Sequence, residues 1–144
     1  MNRDVFSVLD AQFKKFPMLA AGPAASDLVE GMEQFAGFGL PESYKAFVSR
    51  YGGAIVGPYS IFGVGASAAM GNDEGSAVEI TSRFREQKWP GTDDSLVISR
   101  DHAGNAIMLS ADGAIRRFDH DTGNSEMLAS CFDEFLLRWC LKLH

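Results

Sequence analysis

Gly63-Val64-Gly65-Ala66-Ser67-Ala68 has the glycine spacing with which a strand-to-helix turn approaches a pyrophosphate, in the form that ends on alanine. It follows a predicted strand, but no convincing helical pattern follows it. About 20 residues on, where a ribose-binding acid belongs, stand Arg83 and Arg85. No cofactor is therefore expected. Asp119-His120-Asp121-Thr122-Gly123-Asn124 begins like a calcium loop, yet its fifth position is Gly, its sixth is Asn where the sharp turn needs Gly, and no Glu stands at position twelve. A hairpin turn accounts for it better.

The remaining reactive residues are sparse. His102 and His120 lie beside aspartates in predicted turns, the composition of a metal ligand set or a His/Asp pair, and His144 ends the sequence. No Cys or His spacing supports a structural zinc. Nucleophilic catalysis finds no Gly-x-Ser-x-Gly elbow, and Cys131 and Cys140 sit in an apolar helical pattern where a thiol is inert. Nine residues apart, or roughly 13 Å of helix rise, they cannot bond each other within one helix. Catalytic residues, cofactor ligands and metal ligands are all expected to be absent, and the chain is not read as an enzyme.

The elements that would position any site are organised around Leu40–Ala54. Pro41 suits a first helical turn, and Tyr44, Phe47, Val48 and Tyr51 recur at i, i+3, i+4 and i+7 as one apolar stripe. Gly52-Gly53 then supplies the left-handed stop, and the β-branched and aromatic run to Val64 is read as strand. Before it, a helix from Asp4 to Phe16 places Val5, Val8, Leu9, Phe13 and Phe16 on one face, with Asn2 or Asp4 as cap and Pro17 as stop. Pro17 to Ala25 is a small-residue connector, and Ser26 caps a second helix with Leu28, Met32 and Phe35 inward.

After Val64, residues 65–75 are small, polar and glycine-studded and read as a mobile loop. A third regular pattern spans Ser76 to Gln87. Strands at Leu96–Ile98, Ala106–Leu109 and Ala114–Phe118, with a short edge at Met127-Leu128, are separated by turns at 101–105, 112–113 and 119–124 and form a meander. Ser130, with Asp133 at the capping-box spacing, opens a last helix burying Phe132, Phe135, Leu136, Trp139 and Leu143. Helices outside an antiparallel meander make an α+β fold.

At 144 residues and 46% hydrophobic composition the chain suits one domain, residues 1–144. No apolar run is long enough for a membrane span and no signal core is present, so the expected compartment is the cytoplasm, which the two free thiols also suit. The net charge of −6 resides entirely in Thr92–Glu134, which holds nine acids against three bases. That balance argues against nucleic acid as a partner and permits a basic protein.

The run Leu40-Pro41-Glu42-Ser43-Tyr44-Lys45-Ala46-Phe47, then Tyr51-Gly52-Gly53 and a strand ending Ile61-Phe62-Gly63, resembles the signature of the SUKH superfamily. That superfamily includes the yeast cell-wall assembly regulator and many bacterial immunity proteins. Asp101-His102-Ala103-Gly104-Asn105 is similar to its aspartate-glycine-asparagine turn, with His102 and Ala103 in place of a glycine-rich filling. Phe118-Asp119-His120-Asp121 and Ser130-Cys131-Phe132-Asp133-Glu134-Phe135-Leu136 resemble its later strand ending and final helix. The likeness covers residues 26–139, leaving 1–25 as an N-terminal helix and connector.

The resemblance implies a sheet flanked by helices, no catalytic residues or cofactor, and protein binding: in bacteria, immunity against a secreted toxin, often a nuclease. Nucleases hold phosphates with basic surfaces, so Asp101, Asp112, Asp119 and Asp121 on successive turns are expected to meet a basic toxin domain. Tyr59, Phe62 and Met70 are the expected apolar anchors, with a core role as the competing reading. A scaffold or regulatory module binding a host protein is the alternative. Oligomeric state is not legible.

Overall fold

The computed structural model describes residues 3–65, 67, 70 and 75–142. The order is α1 (Arg3–Lys15), α2 (Ser26–Ala36), α3 (Glu42–Tyr51), then a hairpin of β1 (Ala54–Val56) and β2 (Tyr59–Ile61). Helix α4 (Ala77–Glu86) leads into the antiparallel strands β3 (Ser95–Arg100), β4 (Ala106–Ser110), β5 (Ile115–Phe118) and β6 (Ser125–Ala129), which pair in sequence order. The last element is α5 (Phe132–Phe135), continued by a π-helical turn at Leu136–Cys140. The fold is α+β with a C-terminal four-stranded meander, as the strand and turn signals indicated. Among the described residues no helix is long and apolar enough to cross a membrane.

Helix α3 is the centre of the packing because every residue of its stripe is buried: Tyr44, Phe47, Val48 and Tyr51. The Tyr44 hydroxyl, carried into the core, donates to the Phe62 carbonyl at 2.6 Å, so the one polar atom of that ring has a buried partner. Pro41 stands at the N-cap, one residue before the helix, and Gly52 ends it at φ 74°, its N–H donating to the Val48 carbonyl. The connector before α2 is made of small residues because it lies against this stop. Ala21, Gly22 and Ala24 donate to the carbonyls of Gly53, Tyr51 and Ser49, and a Cβ on Gly52 would stand 2.3 Å from the Gly22 carbonyl oxygen.

The sheet is tied to these helices by single buried bonds. Phe62 N–H donates to the Ile98 carbonyl at 2.7 Å, which stitches the end of the hairpin to β3. Ser99, fully buried, donates its hydroxyl to the Ser60 carbonyl at 2.8 Å. Helix α4 reaches the same strand when Val97 N–H donates to the Thr81 hydroxyl at 2.8 Å, beside a register shift between Val97 and Ser99.

Several local expectations are corrected. On α1, Val5, Leu9 and Phe13 are buried, but Val8 and Phe16 are 39% and 44% exposed: the buried stripe is narrower than the apolar one. On α2 the buried residues are Val29, Met32 and Ala36, with Leu28 52% exposed, so the helix is rotated from the expected face. Ser26 is the first helical residue there and Ala25 the N-cap, without a side-chain bond. A full capping box instead opens α4, where Ser76 and Glu79 satisfy each other's backbone N–H groups. At α5 the N-cap is Cys131, and the Ser130 hydroxyl donates to Glu134 at 2.6 Å in place of the expected Asp133. Leu143, the candidate cap Asn2 and most of the 65–75 loop, including Ala66 and Ala68 of the glycine motif, lie outside the described residues.

Candidate functional site

An antiparallel meander sends alternate turns to opposite ends of the sheet. The register pairs Arg100 with Ala106, Ala106 with Phe118 and Phe118 with Ser125, so the 101–105 and 119–124 turns share one end. Asp112, in the turn between β4 and β5, belongs to the other end, where neighbouring Gly113 comes near the Pro41 ring. The four aspartates expected on successive turns are therefore divided between the two ends: Asp101, Asp119 and Asp121 at one, Asp112 at the other.

At the shared end the two turns are clamped by a buried amide. Asn105 donates through its side chain to Asp101 at 3.0 Å, while its Oδ1 accepts the His120 N–H at 3.1 Å and meets His120 Nδ1. Asp101 also accepts the N–H groups of Ala103 and Asn105, each at 2.9 Å, and Arg117 lies 3.6 Å away. Burial by itself would raise the Asp101 carboxyl; the bonds from Asn105 and Ala103 and the Arg117 charge outweigh it and hold the group below its ordinary value. Asp101 is thus a turn organiser with a side chain only 12% exposed. Asp121 is 79% exposed, and Asp119 organises its own turn by accepting from Asp121 N–H at 2.9 Å.

A carboxyl lowered on folding stabilises the fold above the unfolded-state value and loses that contribution as pH falls through the folded-state one. Asp101→Ala is therefore expected to cost about 2 kcal/mol at neutral pH, the typical worth of hydrogen bonds to a charged group. The deficit should shrink on acidification to about pH 3, below the ordinary aspartate value. Urea unfolding of both proteins at the two pH values measures it, and a deficit independent of pH would refute the assignment.

Two of the three apolar candidates are buried. Phe62 is fully buried and Tyr59 is 9% exposed, with its ring 5.6 Å from Phe135 and stacked at 6.4 Å on His102. Met70 is half-buried, its sulfur accepting the Ser67 N–H at 3.4 Å. Cys131 is exposed and Cys140 buried, and burial pushes the Cys140 thiol up. Among the described residues no three His, Cys, Asp or Glu side chains group as metal ligands.

What the end of the sheet does hold is a pair of clefts. One, of about 180 Å³, lies between α4 and the 101–105 turn and is lined by Ile80, Arg83, Phe84, Gln87, Trp89, Arg100 and Gly104. The other, of about 280 Å³, is lined by Pro58, Ser60, Phe62, Arg100, Asp101, His102 and Gly104. Arg100 and Gly104 are common to both. Trp89 walls the first, edge-on to Phe84 at 4.4 Å and 5.5 Å from the His120 ring. Nothing in the sequence singled out Arg100 or Trp89. Arg100 reads as one of three bases in an acidic segment, and only the fold shows which carboxylates it fails to reach.

No curated protein matches the chain at a significant level. The sequence pattern of the SMI1 / KNR4 family (SUKH-1) matches it over residues 23–138, a span that takes in every element from α2 to β6 and the clefts at the sheet end. Membership is consistent with a toxin-immunity or a regulatory protein-binding role, in a family whose members are generally non-catalytic. With four-fifths of its length inside that match, the chain belongs to the SMI1 / KNR4 family (SUKH-1).

Proposed function

We propose that this chain is an immunity protein that binds and neutralises a basic toxin domain, with Asp119, Asp121 and their neighbours at one end of the meander as the electrostatic half of the contact. The observation that carries this reading is the gathering of acidic turns there: Asp121 is 79% exposed and Asp119 and Asp101 stand beside it. Exposed acids on rigid turns accelerate encounter with a basic partner and fix its orientation more than they add affinity. Asp112, at the far end, is expected to contribute little. Tyr59 acts from beneath, its ring stacked on His102 of the 101–105 turn.

The test is association with the protein encoded beside this chain's gene. If that protein is a secreted toxin, its activity should be blocked by the purified chain at stoichiometric amounts. Asp119→Lys/Asp121→Lys should slow association by about tenfold at low salt and flatten its salt dependence, since rim charges act mainly on the on-rate. Asp112→Lys should do neither. Inhibition with unchanged rates in the double variant would overturn the acidic-end contact. A housekeeping partner bound indifferently to salt would replace immunity by the scaffold reading.

A further inference from the structure

We infer that the paired clefts around Arg100 seat an acidic side chain supplied by the protein partner, with the Arg100 guanidinium as its counter-charge. The inference rests on the protein-binding reading and names the feature of the partner that would set its register.

Arg100 is an anomaly in a chain rich in carboxylates. Arg50 pairs with Asp10, Arg116 with Asp112, Arg117 with Asp101 and Glu126, and Arg138 with Glu134. Arg85 donates to the Thr92 carbonyl at 2.8 Å, and Arg83 is engaged as well. Among the described residues the Arg100 side chain has neither a hydrogen-bond nor an ion-pair partner; its guanidinium lies 6.0 Å from the centroid of the Phe62 ring. It is nevertheless half-buried, at the wall shared by two clefts. A guanidinium placed so, with five donors in a planar fork, is matched to a carboxylate.

The surroundings narrow the ligand. Asp101, Asp119 and Asp121 share this end of the sheet with Arg100 and Arg83, so a polyanion such as a nucleic-acid backbone meets repulsion from three carboxylates. A single carboxylate, with one charge, meets far less of it. Each cleft is smaller than the roughly 300–1,000 Å³ of pockets that enclose a drug-sized ligand, which suits a side chain better than a free metabolite or cofactor. Ile80, Phe84 and Trp89 line the α4 side, so the acidic residue should carry an apolar neighbour. Gly104 opens the floor: a Cβ there would meet nothing within 4 Å, and its φ of +84° keeps the position for glycine. A basic partner attracted by the acidic turns would then lock into register through one acid of its own.

The test needs no toxin. A hexapeptide of one glutamate among leucine and serine residues, acetylated and amidated so that only the side chain is acidic, is titrated into the labelled full-length chain and followed by ¹H–¹⁵N NMR. Shifts are expected at the His102 and Gly104 amides and the Trp89 indole N–H, with millimolar affinity. The glutamine twin should bind at least about fivefold more weakly, as should Arg100→Leu with the glutamate peptide, while Arg100→Lys falls between. Equal binding of the twins, or shifts elsewhere on the surface, would overturn the inference. So would a glutamine peptide with a free terminal carboxylate that binds as well as the capped glutamate one, since the occupant would then be a chain end. Should Arg100→Leu fail to fold, the twins on the unaltered protein still decide. Asp119→Lys/Asp121→Lys removes repulsion at this end and should tighten the glutamate peptide while slowing toxin association, so loss of toxin neutralisation and loss of the cleft are separable results.

Discussion

Phe132→Ala is expected to remove about 4 kcal/mol of stability, within the range for deleting a buried phenylalanine and a large part of the ~5–15 kcal/mol that holds a domain of this size. The ring is fully buried and stands edge-on to Tyr44 at 5.2 Å and to Phe47 at 5.4 Å, so it is where the last helix meets the α3 stripe. Removing it forfeits the apolar area, both edge-to-face contacts and the support of the Tyr44 hydroxyl on Phe62. Collapse into the space is limited, because Tyr44 is pinned by that hydrogen bond and Phe47 packs edge-on to Tyr51 at 5.2 Å. Phe16→Ala is the internal comparison: the same residue type, 44% exposed at the end of α1, should cost no more than about 0.5 kcal/mol. Urea unfolding of the three proteins decides it. Similar losses at both positions would mean that α1 is sealed by something this fold does not show, and that its apolar face is wider than Val5, Leu9 and Phe13.

That contrast marks how far the sequence was legible. Periodicity locates a helix and its apolar sector, and for α3 the sector and the buried face coincide because α1 packs on Tyr51 and α5 on Tyr44 and Phe47. For α1 and α2 periodicity gives only the apolar residues present. Which of them face inward depends on the crossing of each helix over its neighbours, so Leu28 and Val29 exchange places. Turns were readable one at a time, from Asp-Gly and Asp-x-Asp chemistry, but their gathering into ends was not. Antiparallel pairing splits consecutive turns between opposite ends, and it moves Asp112 away from Asp101 and Asp119. The clefts were least legible of all. Arg100 is set apart by having no ion-pair partner among the described residues, a property of three-dimensional placement: Asp101, its immediate neighbour in sequence, turns towards Asn105 and Arg117.

The glycine motif shows the same limit from the other side, and a substitution exposes it. Gly63→Ala is expected to destabilise by about 3 kcal/mol, the upper part of the usual range for forcing atoms into a packed interior. What the structure shows at this glycine is a close crossing of backbone over backbone. A Cβ on Gly63 would stand 2.1 Å from the Gly52 carbonyl oxygen and 2.7 Å from its carbon, a contact with backbone that no rotamer change relieves. That carbonyl is already engaged, accepting the Val64 N–H at 2.6 Å, so the chain leaving the hairpin crosses directly over the left-handed stop of α3. Gly63, the first glycine of that spacing, marks two backbone segments packed without side chains between them, whereas a Cβ on Gly65 would meet nothing within 4 Å. Gly31→Ala reverses the sign. Its Cβ would meet nothing within 4 Å on the exposed face of α2, and alanine in a helix interior gains roughly 1 kcal/mol over glycine. Thermal unfolding of the pair should move in opposite directions, Gly63→Ala down and Gly31→Ala up. If Gly63→Ala were as stable as the parent, the crossing of the chain after β2 over Gly52 would be looser than these distances state, and the glycine would need another explanation.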